Sequence, residues 1–189
     1  MIESLAEEVS RCRLCEDWLE PRPVIRVSAT ARLLIVGQAP GRKVHETGIP
    51  WNDPSGDRLR EWLGLSRDQF YDRTRIAIVP MGFCYPGKGR SGDLPPRPEC
   101  FRTWHARLLA AMPEIRMRLL VGRYAQQAYL EELPATLKET VRQWERWFPQ
   151  AVPLPHPSPR NRRWLAQNPW VEGEIIPRVR EAVHSLLWE

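Results

Sequence analysis

The sequence predicts an α/β fold, a parallel sheet sandwiched between helices, and three observations carry that expectation. Four short, continuous apolar runs recur along the chain: Leu33-Leu34-Ile35-Val36, Ile76-Ala77-Ile78-Val79, Leu119-Leu120-Val121 and, more weakly, Ala151-Val152-Pro153-Leu154. Runs of this kind, without polar alternation, suit strands buried on both faces. Stretches of helical spacing separate them, and strands alternating with helices build parallel sheets. At 189 residues, 42% hydrophobic and 27% charged, the chain can bury a sizeable core and reads as one globular domain, residues 1–189, which excludes disordered and fibrous classes.

The elements follow in order. Ile2 to Arg11 carries Ile2, Leu5, Ala6 and Val9 on a helical stripe. Residues 17–30 contain Pro21 and Pro23 and read as a connecting loop. Helical patterns then occupy Asp57 to Leu63, Glu99 to Met112, Tyr124 to Leu130 and Thr136 to Trp147. Pro169 opens a last helix with Ile175, Val179, Val183 and Leu186 on its apolar face, offset by a turn at Pro177. No apolar run approaches the roughly 20 residues of a membrane span. The acidic start, Met1 to Glu8, lacks the basic and apolar parts of a signal peptide. A soluble, cytoplasmic protein without a membrane partner is expected.

The net charge is +5, and only three of the 28 basic residues are lysines: Lys43, Lys88 and Lys138. Guanidinium forks match phosphates and base edges better than ammonium groups do, although a GC-rich genome would also favour arginine. Nine tryptophans add stacking surface. The composition permits nucleic-acid binding without establishing it.

Cys12 and Cys15 form a C-x2-C pair, and Cys84 and Cys100 flank a Pro/Gly-rich loop. In an intracellular chain such cysteines are metal ligands or buried thiols more often than disulfides. Four thiolates match tetrahedral zinc and a [4Fe–4S] cluster equally well by count.

Three loops follow predicted strands, where open α/β sheets gather their functional groups: Gly37 to Asp57, Pro80 to Pro98 and Pro155 to Asn161. The first begins Gly37-Gln38-Ala39-Pro40-Gly41, a turn whose backbone amides can approach a ligand. It is neither a Walker loop nor a dinucleotide fingerprint. The third reads Pro155-His156-Pro157-Ser158-Pro159-Arg160-Asn161-Arg162-Arg163-Trp164. It is a stiff loop with a polarising histidine at its base and arginines behind it for phosphates.

Taken together, G-Q-A-P-G at Gly37–Gly41, Thr47-Gly48-Ile49-Pro50-Trp51 and the H-P-S-P of His156–Pro159 resemble the uracil-DNA glycosylase superfamily. The cysteine arrangement resembles its iron–sulfur, family-4-like branch. The resemblance implies a three-layer α/β/α sandwich with a central four-stranded parallel sheet, and a [4Fe–4S] cluster on Cys12, Cys15, Cys84 and Cys100, with structural zinc as the alternative. It implies a base pocket bounded by Gly37, Gln38, Ala39, Pro40 and Gly41 that also holds the attacking water. Trp51 would stack on the extruded base, and His156 would stabilise the charge on the departing base. Pro157, Ser158, Pro159, Arg160 and Asn161 would enter the minor groove, with Arg162 and Arg163 as further DNA contacts. The implied partner is DNA containing uracil or another deaminated base, met by a monomeric, monofunctional hydrolase that initiates base excision repair.

Three departures bear on substrate and water. The strongest glycosylases of the superfamily carry Asp where this chain has Ala39, and iron–sulfur relatives carry Glu where it has Gln38. His45 and Glu46 are therefore candidates to assist the water. Relatives place a base-reading Asn four residues before the third cysteine, where Pro80 stands without a side-chain amide, so Asn52 becomes a candidate reader. Trp51 is larger than the usual Phe. Two other classes remain open: a catalytically weak or inactive protein of this fold that binds damaged nucleic acid, and a zinc-stabilised binding module.

Overall fold

The computed structural model describes residues 1–189. Helix α1 (Ile2–Ser10) precedes strand β1 (Leu33–Val36), and α2 (Arg42–Thr47), α3 (Pro54–Leu63) and α4 (Arg67–Phe70) lead to β2 (Ile76–Ile78). A small hairpin of β3 (Lys88–Gly89) and β4 (Gly92–Asp93) comes next, then α5 (Ala106–Ala110), β5 (Met117–Val121), α6 (Arg123–Tyr129) and α7 (Leu137–Arg142). Strand β6 (Ala151–Leu154), α8 (Arg162–Gln167) and α9 (Ile176–Trp188) complete the chain. The main sheet has the order β2-β1-β5-β6 with every pair parallel, for example Leu33 opposite both Ile76 and Met117. This is the four-stranded α/β/α sandwich that the apolar runs and the motifs imply.

Alternation along β1 builds the two outer layers. Leu33 and Ile35 face a core containing Leu59, Trp62, Val179 and Val183 from α3 and α9, whereas Leu34 and Val36 face one containing Val9, Leu108 and Ala125 from α1, α5 and α6. All four residues of β1 are buried, because helices cover both faces. Pro153 is tolerated in β6 because that strand lies at the sheet edge.

Five expectations change in detail. The Glu99–Met112 helix widens into a π-turn at Phe101–His105 before α5. The final helix does the same at Val171–Ile175, ahead of Pro177, whose missing N–H breaks the regular ladder. The segment Thr136–Trp147 divides into α7 and a 3-10 turn at Trp144–Arg146. The second loop contains the β3–β4 hairpin, and Arg162–Gln167 is a helix rather than a continuation of the third loop.

His105 is buried in the layer under β2. Its Nε2 donates to the Pro80 carbonyl at 2.9 Å and its Nδ1 accepts from the Tyr129 hydroxyl at 2.6 Å. Burial pushes its pKa from 6.5 to about 4. The unfolded chain therefore binds a proton that the folded chain refuses between those values, so His105 withdraws stability as pH falls through that window. The loss is about 3 kcal/mol by pH 4. Urea unfolding at pH 7 and pH 4.5 should show a pH dependence that shrinks in His105→Gln, even though the variant is less stable at pH 7.

Candidate active site

Beyond the carboxyl ends of β1, β2 and β6 lies a recess of about 460 Å³. The ladder between β1 and β2 continues past the sheet and fixes its floor. Val79 N–H donates to Ile35 O at 3.0 Å, Met81 N–H to Gly37 O at 2.9 Å and Gly82 N–H to Gln38 O at 2.9 Å. Pro80 sits at the alternate position, where this ladder uses no donor, and its carbonyl goes to His105. Gly37, Gln38, Ala39, Pro40 and Gly41 all line the recess.

The histidine loop is anchored by the end of β6. The Leu154 carbonyl accepts from both Gly122 N–H and the buried Gln126 Nε2, each at 2.9 Å. His156 follows two residues later. Its Nδ1 accepts from Ser158 N–H at 3.2 Å, and Asn161 Nδ2 donates to its carbonyl at 2.8 Å. With Nδ1 accepting, the neutral ring carries its proton on Nε2. Burial holds the His156 pKa below the ordinary 6.5, opposed by the Asp53 carboxylate. At neutral pH the site therefore offers an uncharged imidazole donor.

Trp51 forms the opposite wall. Its ring stacks on His156 with centroids 5.6 Å apart and planes 28° from parallel. A Cβ on Gly37 would come within 2.8 Å of the Trp51 Cζ2, so glycine is what admits the ring there. Trp51 adopts φ 59°, a left-handed backbone that costs a non-glycine residue roughly 1–3 kcal/mol. Close behind it, a Cβ on Gly56 would lie 1.6 Å from the Trp51 carbonyl oxygen. Asp53 caps α3 through a 2.8 Å bond from Gly56 N–H, with Pro54 at the first helical position.

That left-handed turn changes where the neighbours go. Asn52, the expected base reader, does not line the recess: its amide donates to Thr47 Oγ1 at 3.4 Å and accepts from Arg67 at 3.2 Å. Asp53 and Ser55 line it instead. The two expected water-assisting residues also lie outside. In α2, Val44 faces the recess; His45, about 100° further round the helix, pairs with Glu20 at 3.2 Å, and Glu46 pairs with Arg42 at 3.2 Å. The hairpin contributes a second carboxylate, Asp93, together with Ser91, Gly92 and Leu94. Asp53 was legible as an Asp-Pro helix start; the hairpin strands are too short and polar to carry any pattern.

Ser158, Arg160 and Asn161 line the recess, Pro157 is buried beneath the loop, and Pro159 is exposed. Arg160 bridges to the hairpin, Nη1 donating to the Ser91 carbonyl at 2.9 Å. Arg162 and Arg163 are exposed at the start of α8, outside the recess.

Cys12, Cys15, Cys84 and Cys100 are all free thiols and line one narrow, largely apolar recess with Leu14, Leu19, Phe83 and Arg97. Burial pushes the Cys84 thiol up to about 11 and the Cys100 thiol up to about 12, and the neighbouring cysteines add to both shifts. No three His, Cys, Asp or Glu side chains anywhere in the chain converge as ligands of one metal ion. The four cysteines nonetheless line this one recess, a donor set that both zinc and an iron–sulfur cluster take.

The family model of the uracil DNA glycosylase superfamily matches residues 25–180. The chain belongs to this superfamily. The match spans the glycine loop, Trp51, Cys84, Cys100 and His156, and it starts after the Cys12–Cys15 pair. A glycosylase-type hydrolase acting on DNA is the function this family assigns. No helix of the chain is long and apolar enough to cross a membrane.

The electrostatics of the site predict an NMR titration. The His156 ring protons should titrate below pH 6.5. Asp53→Asn should lower that midpoint further, because the carboxylate favours the imidazolium.

Proposed function

We propose that the protein is a monofunctional DNA glycosylase that extrudes uracil or a related deaminated base and hydrolyses its N-glycosidic bond, initiating base excision repair. The observation that carries this reading is the neutral His156, with its proton on Nε2, facing a recess built from the Gly37–Gly41 loop and the Trp51 ring. Bond cleavage leaves an oxocarbenium-like sugar and an anionic base, and a pre-placed donor stabilises that anion. In comparable sites one such donor is worth about 3–4 kcal/mol. Asp53 spends its Oδ1 on the helix cap, and Oδ2 serves to orient water and stabilise the sugar cation. The water oxygen bonds to the sugar carbon, the old bond's electron pair leaves with the base, and the proton released by the water balances the one the base anion takes up.

Base extrusion costs a few kcal/mol, which the exposed loop tip at Pro159 and Arg160, stiffened by the buried Pro157, offsets by filling the gap in the stack. Exposed Arg42, Lys43, Lys88, Arg90, Arg162 and Arg163 supply phosphate contacts. With Pro80 lacking an amide and Asn52 turned away, base edges meet Gln38, Ser55 and backbone groups of the recess.

Cys12, Cys15, Cys84 and Cys100 would hold a [4Fe–4S] cluster. Four cysteines from three separate segments lining one recess are the donor set such a cluster takes. Such a cluster would tie the segment after α1 to the loop after β2 and the start of the Glu99 helix, a structural staple.

Oligonucleotides containing uracil, hypoxanthine or xanthine, in single and double strands, test the reaction. Wild type should release at least one base, and His156→Ala should lose about 10²–10³ in kcat. Folded protein that binds DNA in a salt-dependent manner but releases no base would instead support the binding-only reading that Ala39 and Pro80 motivate.

Anaerobically purified protein should contain iron and acid-labile sulfide, about four of each per chain, with a broad visible absorbance that Cys100→Ala removes. One zinc per chain would overturn the cluster assignment.

A further inference from the structure

We propose that Arg60, which does not line the recess, is the positioning residue of Trp51 and through it helps decide which base fits. Arg60 is only 5% exposed, an unusual place for a guanidinium, and its hydrogen bonds explain the burial. Nη1 donates to the Trp51 carbonyl at 3.0 Å and to the Tyr71 hydroxyl at 3.1 Å, and Nη2 donates to Asp57 at 2.8 Å. The Tyr71 hydroxyl in turn donates to the Pro50 carbonyl at 2.7 Å. Two successive carbonyls, Pro50 and Trp51, are therefore gripped by one hydrogen-bonded pair of side chains. The guanidinium carbon also lies over the Phe70 and Tyr71 rings, 5.2 and 5.6 Å from their centroids, close enough for cation–π attraction.

This grip acts where the backbone most needs it. Trp51 is one of only two non-glycine residues with positive φ, and the other, Glu132, is remote from the recess. Released from the clamp, residue 51 would relax toward ordinary backbone angles, and its ring would leave the slot between Gly37 and His156. Gly56 leaves room for the Trp51 carbonyl but makes no directional bond to it. The directional bond comes from Arg60, with Tyr71 holding the preceding carbonyl. A wall held this way is pre-organised, so the base meets a ring already in place. Loosening it weakens contacts made in both ground and transition states, which raises KM more than it lowers kcat.

The clamp stands on geometry alone; its effect on base fit rests on the glycosylase reading. The test therefore has two arms, applied to Arg60→Met and Arg60→Gln. Arg60→Gln keeps a polar side chain but is too short to reach the Trp51 carbonyl and the Tyr71 hydroxyl together, so it decides the matter if Arg60→Met fails to fold. The first arm is proton–carbon NMR of the four histidines, with His156 assigned by its loss in His156→Gln. The stacked Trp51 ring displaces the His156 ring-proton resonances upfield, and Trp51→Ala abolishes that displacement. In both clamp variants the displacement should fall to about half or less, while His184 stays in place. The second arm is excision kinetics, where KM for the preferred base should rise about tenfold with kcat within about threefold. Folded clamp variants with unmoved His156 resonances overturn the proposal. Unmoved KM with shifted resonances overturns its base-fit half, and wild-type protein that excises no base sinks the glycosylase reading while the NMR arm still judges the clamp.

Discussion

The recess depends first on a ladder that does not stop where the sheet does. Ile35, Gly37 and Gln38 present their carbonyls to Val79, Met81 and Gly82 in turn, so the two loops that would otherwise diverge leave the sheet bonded together. That pairing gives the glycine loop a rigid partner and forces the chain after Pro80 to run beside it. The third loop, leaving the far strand β6, is fixed to the same carboxyl end of the sheet through the doubly bonded Leu154 carbonyl. Loops are normally the loosest part of a fold; here backbone hydrogen bonds extend the sheet's rigidity to the residues that line the recess.

On that base the site is a set of mutual dependencies. Gly37 lacks a side chain where the Trp51 ring lies, Trp51 covers the face of His156, and the covered His156 stays neutral because water is kept from it. Asp53 caps the helix that carries Arg60, and it is also the charge that His156 senses. A substitution at any of these positions therefore propagates to the imidazole.

The sheet was legible because burial on both faces leaves an unmistakable apolar run, and the glycine and histidine loops because their residue types are rare in that order. The side chains that furnish the recess were harder to read. Asn52 was chosen for standing next to Trp51, and adjacency in sequence failed because a left-handed residue reverses the direction in which its successor projects. His45 and Glu46 failed for a different reason. The segment after Gly41 is helical, and rotation about its axis gives the inward position to Val44 alone. Arg60 carried no signal at all, since nothing in a charged residue on an amphipathic helix announces that it is buried. The hairpin was invisible because two-residue strands of Lys, Gly and Asp have no face to bury.

The near-absence of lysine from the basic surface has a consequence of its own. Guanidinium groups keep their charge at any pH a folded protein survives, so most of the positive rim is an electrostatic constant, and only Lys43 and Lys88 within it could lose their charge by acetylation. The molecule thus separates an outer surface whose positive charge is nearly all fixed from enclosed imidazoles, His156 in the recess and His105 beneath β2, whose proton affinity burial has lowered.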